Sequence, residues 1–379
     1  GTFDATSGTV QFTGSGGSLR LGGATVTSIG SVFTEGTGTV DYDYAGGQTV
    51  KLRTYYNLRM KGSGTKITPN SGSTGTITVS NDLTIDAGVT LDIANGNDNL
   101  TIQGDYDNNG SFTGTGRTVT FSGSSSSGET VSPINDATVD LIVDKSDANG
   151  GVTFESGTCS FDNVTVLDGY LDIGANTFTA DELITISAAG TLKIPNGGTF
   201  NADGQLTTSG TIDFTGTGSQ GDLVCSSTSA NTFGTLDDAA GTVTFDGSSS
   251  QAIPAETFFN LKNSNSSGLT MSGDATVNGE LNLNVAADIT TGTNTLTIGT
   301  SGSIANAAAD RHINVDNTSG YLAKEFGSGT AFSFPVGNGT ILRPIRLTTS
   351  AGSTTYKLRY DDNRYTSGAV GSSGHFSGG

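Results

Sequence analysis

The sequence predicts an all-β chain, an elongated parallel β-helix or β-solenoid of short strands with a C-terminal antiparallel β module. Three observations carry that prediction. Apolar and polar residues alternate at period two along most of the chain, which places one set of side chains on a buried face. Strand-like runs of three to five residues recur about every eight residues over hundreds of residues. Helical periodicity is almost missing, and its nearest approach, an Ala-rich stretch over 305–311, reads as a connector.

Composition agrees. Only 33% of the 379 residues are hydrophobic and 14% charged, while glycine reaches 57 and tryptophan is absent. So low a charge density argues against ordinary disorder. The apolar residues are mostly Val, Ile, Leu and Phe set singly between threonines, and such branched side chains suit a pleated, half-buried surface. The glycines then belong to turns.

Taken in order, strands are predicted at 77–79, 83–85, 89–93 and 100–102. The same rhythm returns at 164–166, 170–173, 177–179, 183–186, 192–194 and 212–214, and again at 275–277, 281–283 and 296–298. A longer motif also recurs. Gly8-Thr9-Val10-Gln11-Phe12 returns as Gly38-Thr39-Val40-Asp41-Tyr42, as Arg117-Thr118-Val119-Thr120-Phe121 and as Gly241-Thr242-Val243-Thr244-Phe245. Downstream, Gln48-Thr49-Val50 and Asn57-Leu58 match Gln251-Ala252-Ile253 and Asn260-Leu261. The copies are unevenly spaced, which a solenoid tolerates because each coil touches only its neighbours. Sandwich-like modules are the alternative. The solenoid is assigned to residues 1–316. From 317 to 379 the prolines and basic residues increase, and this stretch reads as a truncated β-sandwich-like module.

Charge and length exclude several functions. A net charge of −19 with 17 scattered Lys and Arg gives no basic patch for nucleic acid. No run of about 18 apolar residues is present, so no membrane-spanning helix is expected. The chain opens on Gly1-Thr2-Phe3, which reads as a processed protein or a fragment.

The elements Gly104-Asp105-Tyr106-Asp107-Asn108-Asn109-Gly110, Thr118-Val119-Thr120-Phe121, Phe259-Asn260-Leu261 and Phe334-Pro335-Val336-Gly337 with Arg343-Pro344 follow one another along the chain. In this they resemble the repeat regions of very large surface proteins of Bacteroidota-type bacteria, commonly exported by the type IX route. The resemblance covers nearly the whole chain and implies an extracellular, cell-surface structure or adhesin. That family's C-terminal sorting domain has no match here, so the export route is inferred.

Cys159 and Cys225 form either one extracellular disulfide or two buried thiols. Asp105, Asp107 and Asn109 start like a calcium-binding loop, but the twelfth position is Gly116 instead of a bidentate carboxylate, so a turn is expected with a weak calcium site as alternative. The run 94–99 is likewise a polar turn first and a weak calcium site second. His312 reads as an exposed strand residue, and neither it nor His375 lies near a nucleophile motif. Asp237-Asp238 and Asp361-Asp362 are adjacent pairs that a strand would send to opposite faces. No enzyme and no cofactor are expected. The Thr-x-Thr triplets at 76/78, 118/120, 242/244 and 295/297 look scattered rather than one per coil, and threonine is simply a good outward strand residue. Tyr42, Tyr44, Tyr356 and Tyr360 are the aromatics offered for glycan contact. The sequence thus points to a structural rod, stalk or fibre whose partner is a further copy of itself, head-to-tail or lateral. The second reading is an adhesin for surface glycans. A polysaccharide-active β-helix enzyme stands third.

Overall fold

The computed structural model describes residues 2–13, 16–70, 72–126, 128–147, 149–214, 221–237, 240–315, 319–350 and 354–360. Asp238, Asp361, Asp362, Tyr365 and His375 lie outside them. The described chain is a parallel β-solenoid of about 14 turns with no helix. Its contacts divide it into two compact units, Gly1–Lys193 and Ile194–Gly379.

In the first unit three strands make one coil, and each strand pairs in parallel with its counterpart one coil on. One face stacks Thr39–Tyr42, Asn57–Met60, Leu83–Ile85, Tyr106–Asn108, Gly128–Val131 and Gly151–Phe154. A second stacks Gln48–Thr49, Gly64–Ile67, Val89–Asp92 and Ser111–Thr113. A third stacks Thr54–Tyr55, Thr76–Val79, Asn99–Ile102, Thr118–Gly123 and Asp140–Lys145. Coil length varies from the 18 residues between Thr39 and Asn57 to the 25 between Leu58 and Leu83. Alternation sends every second side chain inward, and in-register stacking turns these into columns such as Ile77, Leu100, Val119, Leu141, Val164 and Ile184, all buried.

Strand Val164–Asp172 serves two faces at once. Its first half pairs with Asp140–Lys145 and its second with Gly151–Phe154, through a bulge between Val166 and Asp168 that leaves Leu167 exposed. A corner made by a connecting loop in earlier coils is here a bulge, which bends a strand without ending it.

The second unit repeats the plan. Its faces stack Thr242–Phe245, Asn260–Asn263, Glu280–Leu283 and Ser303–Ala305; Gln251–Ile253, Leu269–Met271, Ile289–Thr290, Ile313–Asn314 and Val336–Gly337; and Thr257–Phe258, Ala275–Val277, Thr295–Ile298 and Tyr321–Phe326. Two antiparallel pairs follow, Tyr321–Phe326 with Thr354–Leu358 and Ala331–Phe334 with Ile345–Thr348. Parallel coil pairing runs through Tyr321–Phe326 to Val336–Gly337, and the antiparallel strands are laid onto that last coil.

Polar side chains also bind coil to coil from inside. The Gln48 Nε2 amide donates to the carbonyls of Leu21 and Gly23, both at 2.8 Å. Gln251 does the same to Cys225 and Ser227, again at 2.8 Å. The Gln-x-Val/Ile repeat is thus a buried coil-to-coil clamp, since a buried carbonyl left unpaired would be costly.

Candidate functional site

The groups most perturbed by their surroundings lie in the interior. Lys66 is fully buried and donates from Nζ to the carbonyls of Tyr44, Gly46 and Ser63 at 2.6, 3.0 and 3.2 Å. Lys324 donates to the carbonyls of Gly299, Thr300 and Gly302. Lys145 donates to the Gln103 carbonyl at 3.0 Å and stands 3.7 Å from Glu129 Oε1. Burial lowers the pKa of all three. Lys66 and Lys324 each gather three backbone carbonyls and Lys145 one carbonyl and a carboxylate, and the geometry is that of a staple, not of an accessible base or nucleophile. Sequence reading missed these lysines. The signal that could have found them is parity, because Lys145 continues the inward series Leu141 and Val143, and Lys324 the series from Leu322.

Tyr42 was offered for glycan contact and is instead completely buried. Its Oη lies 3.0 Å from that of Tyr55, accepts the Lys51 N–H at 2.9 Å, and Tyr55 donates to the Lys51 carbonyl at 2.7 Å. Burial raises both phenols, Tyr42 to about 12. The hydroxyls close on one backbone unit, so the rings can face inward with their polar tips satisfied. Tyr44 and Tyr360 are half-buried. Tyr356, also half-buried, sets its ring edge-on to Phe326 at 5.6 Å.

The disulfide alternative is not formed. Cys159 and Cys225 are both buried free thiols, standing opposite Phe178 in one case and Ala202 and Phe245 in the other. Burial pushes the Cys159 thiol up to about 12 and raises Cys225 as well.

His312 is another correction, being fully buried rather than exposed. Its Nδ1 is 3.1 Å from Asp288 Oδ1, which also accepts the His312 backbone N–H at 2.8 Å. Gly337 gives the ring its room, since a Cβ there would fall 2.5 Å from Nε2.

The acidic stretches are occupied with local bonds. Asp105 Oδ1 accepts the Thr130 N–H and hydroxyl at 2.7 and 3.0 Å, and Asn109 donates to Asp107 Oδ1 at 2.7 Å. Among the described residues no three His, Cys, Asp or Glu side chains come together as a metal-ligating group. One carboxylate pair does converge, with Asp203 and Asp246 both within 3.0 Å of Ser226 Oγ. Both are exposed on the surface.

The outward threonines are stacked, contrary to the scattered pattern expected. On the third face of the first unit Thr54, Thr78, Thr101 and Thr120 stand opposite one another on successive coils, followed by Ile142, Thr165 and Thr185. Beside them runs a second column of Thr76, Asn99, Thr118 and Asp140. Uneven coil lengths hide this register in the sequence. Adjacent ladder positions are about 4.8 Å apart and alternate residues along a strand about 6.6 Å, so the face is a regular, mostly uncharged grid of hydroxyls and amides.

No protein-family model, curated protein or solved structure matches the chain. The class that fold and surface define is a parallel β-solenoid with a filled, internally stapled core.

Proposed function

We propose that this chain is a structural segment of an extracellular, cell-surface protein, a stalk or spacer built by stacking coils. The observation that carries the reading is where the perturbed groups lie. The lysines, thiols and phenols with shifted pKa values hold coils together inside the stack instead of meeting at an open cleft. An acidic, hydroxyl-rich exterior suits a soluble surface protein, and the likeness to type IX-exported repeat regions supports the location. Strand Thr354–Leu358 runs antiparallel along Tyr321–Phe326, on an edge that another parallel coil would need. That favours a stalk over a head-to-tail polymer. Electron microscopy of the protein across a range of concentrations tests this. Discrete single particles at every concentration are expected, and filaments with an axial repeat of one chain would replace the stalk with a self-assembling fibre.

The threonine grid favours a second reading, an adhesin that lies flat on an ordered, uncharged glycan surface. Co-sedimentation with insoluble cellulose or chitin checks it, and loss of binding in Thr78→Lys with Thr101→Lys is the expected sign.

A further inference from the structure

The turn at 94–98 holds an arrangement that hydrogen bonding does not complete. Asp98 is fully buried, and its Oδ1 accepts the Gly75 N–H at 2.7 Å. Its Oδ2 is equally buried and has no hydrogen-bond partner in the protein. A buried carboxylate oxygen without a proton or a cation facing it is expensive. Two more oxygens point to the same spot. A Cβ built on Gly96 would lie 2.3 Å from Asp98 Oδ2, 2.2 Å from Thr68 Oγ1 and 2.9 Å from the Pro69 carbonyl oxygen. Thr68 is itself fully buried, and its hydroxyl donates its one hydrogen to the Ile93 carbonyl at 3.2 Å. Toward Asp98 it therefore presents lone pairs. Carboxylate, hydroxyl and carbonyl oxygens from two successive coils face one another with no donor among them, and glycine at 96 keeps the nook free of a side chain.

We propose that this nook binds a calcium ion that ties the 94–98 turn to Thr68 and Pro69 of the preceding coil. All three donors are oxygens, which selects a hard cation. Their mixed, irregular arrangement suits calcium, whereas magnesium demands near-ideal octahedral geometry. Asn95 and Asn97 beside the nook are exposed, so water can fill the remaining coordination positions. With a single carboxylate the affinity belongs to the weak range of extracellular modules, a Kd of about 0.1–1 mM. The site differs from the Asp105, Asp107 and Asn109 stretch.

The test uses the full chain, dialysed against a chelator and then titrated with calcium chloride, with binding read by equilibrium dialysis of radioactive calcium and stability by thermal unfolding. The expected result is one ion bound per chain, half-saturated at about 0.1–1 mM calcium, and an unfolding midpoint that starts to rise in that range and keeps rising with the logarithm of the calcium concentration. Asp98→Asn keeps the acceptor for Gly75 and is expected to fold, to lose the bound ion and the calcium-dependent rise, and to equal or exceed the native midpoint without calcium. Asp105→Asn is expected to keep the response. An unchanged midpoint and no binding in the native chain overturn the proposal whatever the variants do. A calcium response that survives in Asp98→Asn overturns it too, since the ion then sits elsewhere.

Discussion

At the scale of single residues, the ionisable groups inside the stack give pH dependences of opposite sign. Lys66 has its pKa lowered by burial, so between that lowered value and the ordinary 10.5 the unfolded chain binds more protons than the folded one. In that window stability rises with pH. Lys66→Met removes the ammonium from the Tyr44, Gly46 and Ser63 carbonyls and is expected to cost about 1–3 kcal/mol at neutral pH. Denaturant titrations from about pH 8 to about pH 10 should show the native chain gaining on the variant as pH rises. The thiols act the other way. Cys159 goes from 9.0 to about 12 on folding, so its contribution is fully present below 9.0 and is lost as pH rises toward 12. Both thiols should resist alkylation in the folded chain at neutral pH and react once it is denatured. A mass shift of either one under native conditions would contradict the burial described above.

At the scale of elements, the clamps and the close-packed glycines are the sensitive points. Gln251→Ala leaves the Cys225 and Ser227 carbonyls and the Gly247 N–H without their partner, and should cost about 1–3 kcal/mol by chemical denaturation. Gly151→Ala drives a methyl to within 2.4 Å of the Tyr170 ring, which lies under the Lys193 ammonium at 3.6 Å. Overpacking of this kind is expected to cost about 1–3 kcal/mol. These elements were legible to different degrees. Strands read at 77–79, 83–85, 89–93 and 100–102 coincide closely with Thr76–Val79, Leu83–Ile85, Val89–Asp92 and Asn99–Ile102, because period two is a local signal. Residues 164–166 and 170–173 were read as separate strands and are one, since a bulge at Val166/Asp168 carries the pairing around the corner. Which threonine faces which depends on the length of every intervening turn, and that is set by stacking rather than by the triplets. The sequence shows the 94–99 stretch as a polar turn with a weak calcium site as alternative, but not which oxygens face Asp98, because Thr68 and Pro69 come from the coil before.

At the scale of the molecule, a stack of coils has a stability close to a sum of coil and neighbour terms, with no closed core that needs every part. The native coils already vary between 18 and 26 residues, so the fold accepts changes of length that keep the phase of the three faces. Leu83 and Tyr106 are equivalent positions one coil apart, as are Ile85 and Asn108. Deleting residues 83–105 therefore joins Asp82 to Tyr106 in register and removes one whole coil. Tyr106 then follows Leu58 in its column, and Thr118–Gly123 inherits the place of Asn99–Ile102 on its face. This deletion should leave a β-rich circular dichroism spectrum and a cooperative melt in the first unit, with resistance to limited proteolysis kept. Deleting only 83–94 removes two of that coil's three strands, so the third, Asn99–Ile102, arrives on the wrong face and buried columns meet polar ones. That shorter deletion should abolish the cooperative melt although it removes fewer residues. Equal damage from the two would mean that the stack is stabilised by interactions reaching beyond neighbouring coils, and the nearest-neighbour account of this solenoid would fail.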